Sequence, residues 1–275
     1  MSAVTLAERL GSLNEGPIFL PTEFLQTVVF PQIVFSYLLL STLYIIALYW
    51  APSGASLRVT RKNCYTATNF VANLILTCAG FYYEFRYIMG SSATEEEKTQ
   101  GYEPLVFLSC FQLGFQFWAI PVGFFYVNES PAMLAHHFTV IAVAIMSGFL
   151  RNGFRYWTAF FYGVIELSSL PLSIMNYFKE NPSLIAKYPG WYDTIRLVFA
   201  GAFLLVRIIL FVPRLFLYLR DHYLLYSQHP NIFYRIFMAT CGASSFFLLV
   251  LQIYWGVLIV RGVIKGFTKA YKKKL

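Results

Sequence analysis

The chain has 275 residues, of which 58% are hydrophobic and 12% charged, with a net charge of +8 and a mean hydropathy of +0.58. A soluble domain carries roughly 45–50% apolar and about 25% charged residues, so this chain lacks the polar surface to cover a water-soluble globule. The positive charge does not point to nucleic acid, because it sits in short turns between apolar runs and in a Lys-rich end (Lys265, Lys269, Lys272, Lys273, Lys274). Charge in those places orients a membrane protein and touches lipid headgroups.

Apolar runs of bilayer-spanning length, about 20 residues, recur along the chain. They predict an all-α, polytopic transmembrane helical bundle of about seven spans, at 24–50, 66–89, 105–127, 132–150, 156–178, 195–219 and 232–261. Residues 1–23 hold Glu8, Glu15 and Glu23 and no basic region, so the first apolar run is expected to stay as a span rather than act as a removable signal. Ala51-Pro52-Ser53-Gly54 ends that span, and Pro104 precedes the third. Ser130-Pro131 is a helix start, with Ser as N-cap and Pro at the first helical position. Arg151–Arg155 leave room only for a tight hairpin between the fourth and fifth spans. Asn181-Pro182, Pro189-Gly190 and His229-Pro230-Asn231 separate the rest. The chain divides into an N-terminal segment with the first helix (1–59), a membrane domain (60–262) and a basic tail (263–275).

The basic loops hold Arg58, Arg61 and Lys62, then Lys179 and Lys187, then the tail from Arg261, and are expected on the cytosolic side. The opposite loops include 90–104, with Glu95, Glu96, Glu97 and Glu103 against Lys98. Arg151, Arg155, Arg214 and Arg220 run against this assignment. A cytosolic tail ending Lys272-Lys273-Lys274-Leu275 resembles a dilysine retrieval signal for the endoplasmic reticulum. Lys272 and Lys273 would then be read by coat-protein retrieval machinery; ordinary positive-inside charge is the alternative.

Ionisable groups in hydrocarbon cost several kcal/mol unless paired or hydrated, so they are the candidates for function. Glu166 lies roughly ten residues into its span and Arg207 near the middle of the next, which at ~1.5 Å per residue puts both near the bilayer midplane. The spacing of Arg196, Arg207 and Arg214 keeps the three within about 20° of one line on a regular helix, predicting a stripe that faces a protein interior or wet cavity. A buried pair of Glu166 with Arg207 is expected, either to bind a ligand or to fix helix packing. His136 and His137 follow Pro131 by about one and a half turns and point ~100° apart. One imidazole can line a cavity, as general base or nucleophile, while the other packs against a neighbour. Asn69 and Asn73 share a helix face, with Glu84 further along, and suit interhelical hydrogen bonds or ligand contact. Cys64, Cys78, Cys110 and Cys241 are scattered without paired spacing, so neither a disulfide nor a metal site is expected.

Three stretches, in order, resemble the TLC-domain family, which includes ceramide synthases and translocating-chain-associating membrane proteins. His136-His137-Phe138-Thr139 is similar to the family's paired histidines, and Gly163-Val164-Ile165-Glu166-Leu167-Ser168 to the GE-x-S stretch of its non-synthase branches. Gly201 through Arg207-Ile208 to Pro213 resembles the pattern of the next helix, and Arg61-Lys62-Asn63 its basic-Asn lead into the second. The resemblance implies six helices in a barrel around a lipid-sized cavity, with an additional N-terminal helix. The HD-x-x-D stretch of ceramide synthases is missing: Gly163 and Glu166 stand there instead, which puts the chain nearer the orphan TLC-domain proteins.

The expectation is therefore a multi-pass protein of the endoplasmic reticulum membrane that binds a membrane lipid or acyl chain in an intramembrane cavity. Glu166, Arg207, Asn69 and Asn73 would contact the ligand, and no resident cofactor is expected. One alternative is an N-acyltransferase of ceramide-synthase type, with His136 and His137 catalytic and acyl-CoA as co-substrate. Another is a non-catalytic cargo receptor or translocon accessory. Homo-oligomers are compatible with the sequence.

Overall fold

The computed structural model describes residues 17–52, 54–89 and 93–272, and nearly all of them are helical. Helix α1 (Thr22–Tyr49) contains a π turn at Leu25–Val29. Helix α2 (Leu57–Tyr83) continues through a π turn, Glu84–Ile88. A short α3 (Glu95–Gln100) leads to α4 (Val106–Val122), extended by a π turn at Gly123–Val127, and to α5 (Pro131–Phe149). The next path starts irregularly at Arg155 and becomes α6 (Ser169–Glu180). After α7 (Pro182–Lys187), helices α8 (Pro189–Phe203) and α9 (Phe211–Gln228) are joined by a π segment, Leu204–Leu210, and α10 covers Ile232–Lys272. The starts follow the expected chemistry. Ser130 Oγ accepts from the Met133 N–H, with Pro131 at the first helical position.

Packing closes six of these paths into a ring in the order α2, α4, α5, α10, α8–α9 and the Arg155–Glu180 path, which returns to α2. Helix α1 lies outside, across α2 and α4. Its buried Val29, Ile33, Ser36, Leu40 and Tyr44 recur at helical spacing on one face, while Phe35, Leu38 and Ile45 are exposed on the other. Gly114 lets α4 approach: a Cβ there would sit 2.6 Å from the Ile33 carbonyl oxygen. Such lipid-sized apolar exteriors identify a polytopic membrane bundle. Among the described residues, five helical stretches (Thr22–Tyr49, Glu97–Val127, Pro131–Phe149, Pro189–Ser227 and Ile232–Gly266) are long and apolar enough to cross a membrane. Helix α2 and the Arg155–Glu180 path are the less apolar members because they carry Asn69, Asn73, Glu84 and Glu166.

Two expectations change. The fifth span is not a uniform helix: Arg155–Trp157 and Val164–Ser168 are 3₁₀ and Ala159–Gly163 is π before α6 begins. Pro171 offers no N–H and crowds the Leu167 carbonyl, which disfavours a regular α-helical turn before it. The same stretch approaches α2 backbone to backbone. A Cβ on Gly80 would fall 2.4 Å from Gly163 Cα. The second change is the arginine stripe. The π segment Leu204–Leu210 shifts the helical phase, and the three arginines take separate partners. Arg196 pairs with Asp193 at 3.2 Å on the surface, Arg207 turns inward, and Arg214 reaches Glu84 at 2.8 Å.

Lys62, Lys179 and Arg196 gather at one end of the bundle. Lys62 of α2 pairs with Glu180 of α6 at 2.9 Å, and Gly266 of α10 lies beside Arg196. The other end holds the Arg151–Arg155 turn, where Tyr234 at the start of α10 donates to the Asn152 carbonyl. Arg155 belongs there for a local reason. Its guanidinium donates to the carbonyls of Ser147, Leu150 and Arg151, closing the last turn of α5. Burial pushes its pKa down to about 10. Lys273 lies outside the described residues, and so does the side chain of Lys272.

Candidate functional site

The ring encloses two joined cavities. The larger, about 390 Å³, opens beside Glu129 and Lys179 at the basic end and is lined by polar groups from five of the ring's paths. The smaller, about 60 Å³, continues inward as an apolar slot among Val140, Met146, Phe161, Ile165, Phe211 and Leu215. Gln112, His136, Glu166 and Arg207 line both and form the neck between them.

At the neck the expected ion pair is present. Arg207 Nη2 donates to Glu166 Oε2 at 3.0 Å. Ser169 Oγ donates to the same carboxylate oxygen at 2.5 Å and accepts from Arg207 Nη2 at 3.0 Å, while Arg207 Nε donates to Ser168 Oγ at 2.7 Å. Both ionic residues are buried, Glu166 at 8% and Arg207 at 7% exposure. A charge this deep persists only when its lone pairs and N–H groups are met, and the two serines supply the extra bonds. The 3₁₀ turn Val164–Ser168 runs up to Ser169 and brings Glu166 and Ser169, three residues apart, onto one side of the chain.

The histidines divide their work as adjacent helical residues must. His137 is buried. Its Nδ1 meets Gln116 Oε1 at 2.5 Å, and because a carbonyl oxygen only accepts, Nδ1 carries the hydrogen. Nε2 lies 3.5 Å from Glu129 Oε2, which also accepts from the Tyr65 hydroxyl at 2.7 Å. Tyr65 is stacked on Trp118 with 5.3 Å between centroids. His136 instead lines the neck, edge-on to Trp255 at 5.7 Å, and its Nδ1 has no hydrogen-bond partner. Asn69 and Asn73 both line the outer chamber.

The orphan atoms are informative. Gln112 Oε1, Gln252 Oε1, Asn69 Oδ1 and His136 Nδ1 are buried without partners, and Gln112 and Gln252 are 3% and 2% exposed. Each such atom costs about 1–3 kcal/mol. Grouped around one cavity, they describe a site shaped for a guest that brings its own polar atoms, with an apolar slot for the rest of it.

Sequence reasoning brought Glu166, Arg207, His136, His137, Asn69 and Asn73 into consideration, and the fold gathers all six on one chamber. It missed Glu129, Ser168, Ser169 and the glutamines. Gln112 and Gln116 repeat on α4 the four-residue spacing that drew attention to Asn69 and Asn73, so a signal was available for them. Nothing local marked Glu129, whose role arises from the loop that returns it to His137.

A family model described as the TLC domain matches residues 60–261. No curated protein and no solved structure matches the chain.

Proposed function

The chain belongs to the TLC-domain family, and from that premise we propose that it is a lipid-binding membrane protein whose ligand places its acyl chain in the apolar slot and its polar head in the outer chamber. The observation that carries this reading is the neck: a saturated ion pair and the unpartnered Gln112 amide oxygen stand where a continuous cavity changes from polar to apolar. Gly266, near the end of α10, lies beside Arg196 at the end of the bundle where the chamber opens. With Lys272 and Lys273 as a retrieval signal, the mouth faces the cytosol, the membrane is that of the endoplasmic reticulum, and the role is membrane-lipid homeostasis, with sphingolipids among the candidates. The test is mass spectrometry of lipid co-purified with the protein. A defined lipid class should be retained by the wild type and lost from Val140→Phe, which fills the slot; equal lipid in both would refute the slot as the site. Replacing Lys272 and Lys273 by Ser should release the protein from the endoplasmic reticulum to later compartments.

A second reading is favoured by one feature, the unpartnered His136 imidazole at the neck. In an N-acyltransferase, a lipid amine attacks the thioester carbonyl of acyl-CoA, His136 takes the amine proton, and the thiolate of coenzyme A leaves and recovers a proton. Acylation of a sphingoid base should then vanish in His136→Ala with His137→Ala while the protein remains folded. Unchanged turnover, or none in the wild type, removes catalysis and leaves the binding reading.

A further inference from the structure

At the opposite end from the chamber mouth, a separate cavity of about 310 Å³ lies between the end of α2, the start of the Arg155–Glu180 path and α9. It gathers Lys98, Arg214 and Arg220 with Glu84 and Asp221. The carboxylates are at the back: the Glu84 and Asp221 side chains are 8% and 2% exposed, against 33% for Arg214 and 55% for Arg220. Arg214 Nη2 donates to Glu84 Oε1 at 2.8 Å, and its guanidinium lies 4.1 Å over the Phe160 ring. Arg220 donates to Asp221 Oδ1 through Nε at 3.0 Å and Nη2 at 2.7 Å.

The Arg214 guanidinium, held at Nη2 by Glu84 and covered on one face by Phe160, is fixed in plane where it lines the cavity. That is the arrangement that suits bidentate recognition of phosphate. The remaining walls are Ile88, Met89, Tyr156, Trp157 and Leu217. Met89 and Leu217 are 59% and 46% exposed to the surroundings of the bundle. Aromatic residues at the end of a span mark the interface between hydrocarbon and headgroups.

We propose that this cavity binds the phosphate of an amphiphile, with Arg214, Arg220 and Lys98 at the headgroup and Leu217 and Met89 along the first carbons of its chains. The site is independent of the chamber ligand. It also accounts for Arg214 and Arg220, which contradict the distribution of basic loops: they serve a headgroup at their own end of the bundle rather than orientation.

The test uses full-length protein in neutral detergent, titrated with phosphatidic acid or with diacylglycerol of the same chains, and read by native mass spectrometry and thermal melting. Phosphatidic acid should bind at least tenfold more tightly than diacylglycerol and raise the melting temperature. Glu84→Gln with Arg214→Met removes the pair without orphaning a charge and should reduce phosphatidic acid binding about tenfold. Arg214→Lys keeps the partner of Glu84 but loses the fork, and should weaken binding even if the double variant fails to fold. Val140→Phe, altered only in the chamber slot, should bind as the wild type does. Equal binding of the two lipids, or full binding by Arg214→Lys, overturns the proposal. Inorganic phosphate at millimolar concentration should leave melting unchanged; if it protects as well as the lipid does, the phosphate chemistry stands and the amphiphile is replaced by a soluble anion.

Discussion

Glu166→Gln is the sharpest perturbation of the neck. The substitution keeps the shape but removes the negative charge that neutralises Arg207, while Ser168 and Ser169 still accept from the guanidinium. Breaking a buried pair by removing one partner costs about 3–5 kcal/mol. The two surviving bonds place this case at the lower end, about 3 kcal/mol. For a domain of this size each kcal/mol moves the melting temperature by about 2–4 °C, so a fall of about 6–12 °C is expected. Arg207→Met in the Glu166→Gln background removes the unpaired cation and should restore about half of that loss. The assay is tryptophan-fluorescence melting in detergent of the wild type, both single variants and the double, read as a double-mutant cycle. A coupling energy near zero, with the two losses simply adding, would refute the reasoning that these side chains neutralise one another.

Gly80→Ala should abolish the monodisperse peak in size-exclusion chromatography, because its Cβ would overlap the Gly163 backbone at 2.4 Å and neither backbone can yield. Gly201→Ala, with nothing within 4 Å, should elute as the wild type does. His137→Ala should lower the melting temperature by several degrees, since it leaves the buried Gln116 Oε1 without its partner. His136→Ala should leave melting within about 1 °C, and its effect should appear in the amount of lipid co-purified.

Five of the seven expected spans were legible because hydrophobic length and Pro, Gly and Ser punctuation report directly on what a bilayer accepts. Thr22–Tyr49 and Pro131–Phe149 fall within two residues of their sequence-based ranges. The Glu166–Arg207 pair was legible for the same reason: two isolated opposite charges at one depth need each other. The order of helices around the ring was not, since lipid-facing and ring-facing positions of these spans are both apolar. Nor was the fate of Arg196 and Arg214. Their alignment assumed a constant turn, which the π segment Leu204–Leu210 interrupts. Helical extent beyond the apolar windows was also hidden: α8 begins at Pro189 and α10 runs through Lys272, past the last hydrophobic residue of the expected spans.

The claim on which everything rests is that Glu166, Arg207 and His136 face one chamber that passes from polar to apolar at their level. An experimental density map of the protein in lipid nanodiscs measures this most directly. Elongated density should run from the Lys179 mouth through the neck toward Leu215, with the Glu166 and Arg207 side chains joined beside it. Those side chains turned outward to the lipid belt, or a neck filled by protein with no continuous passage, would contradict the account.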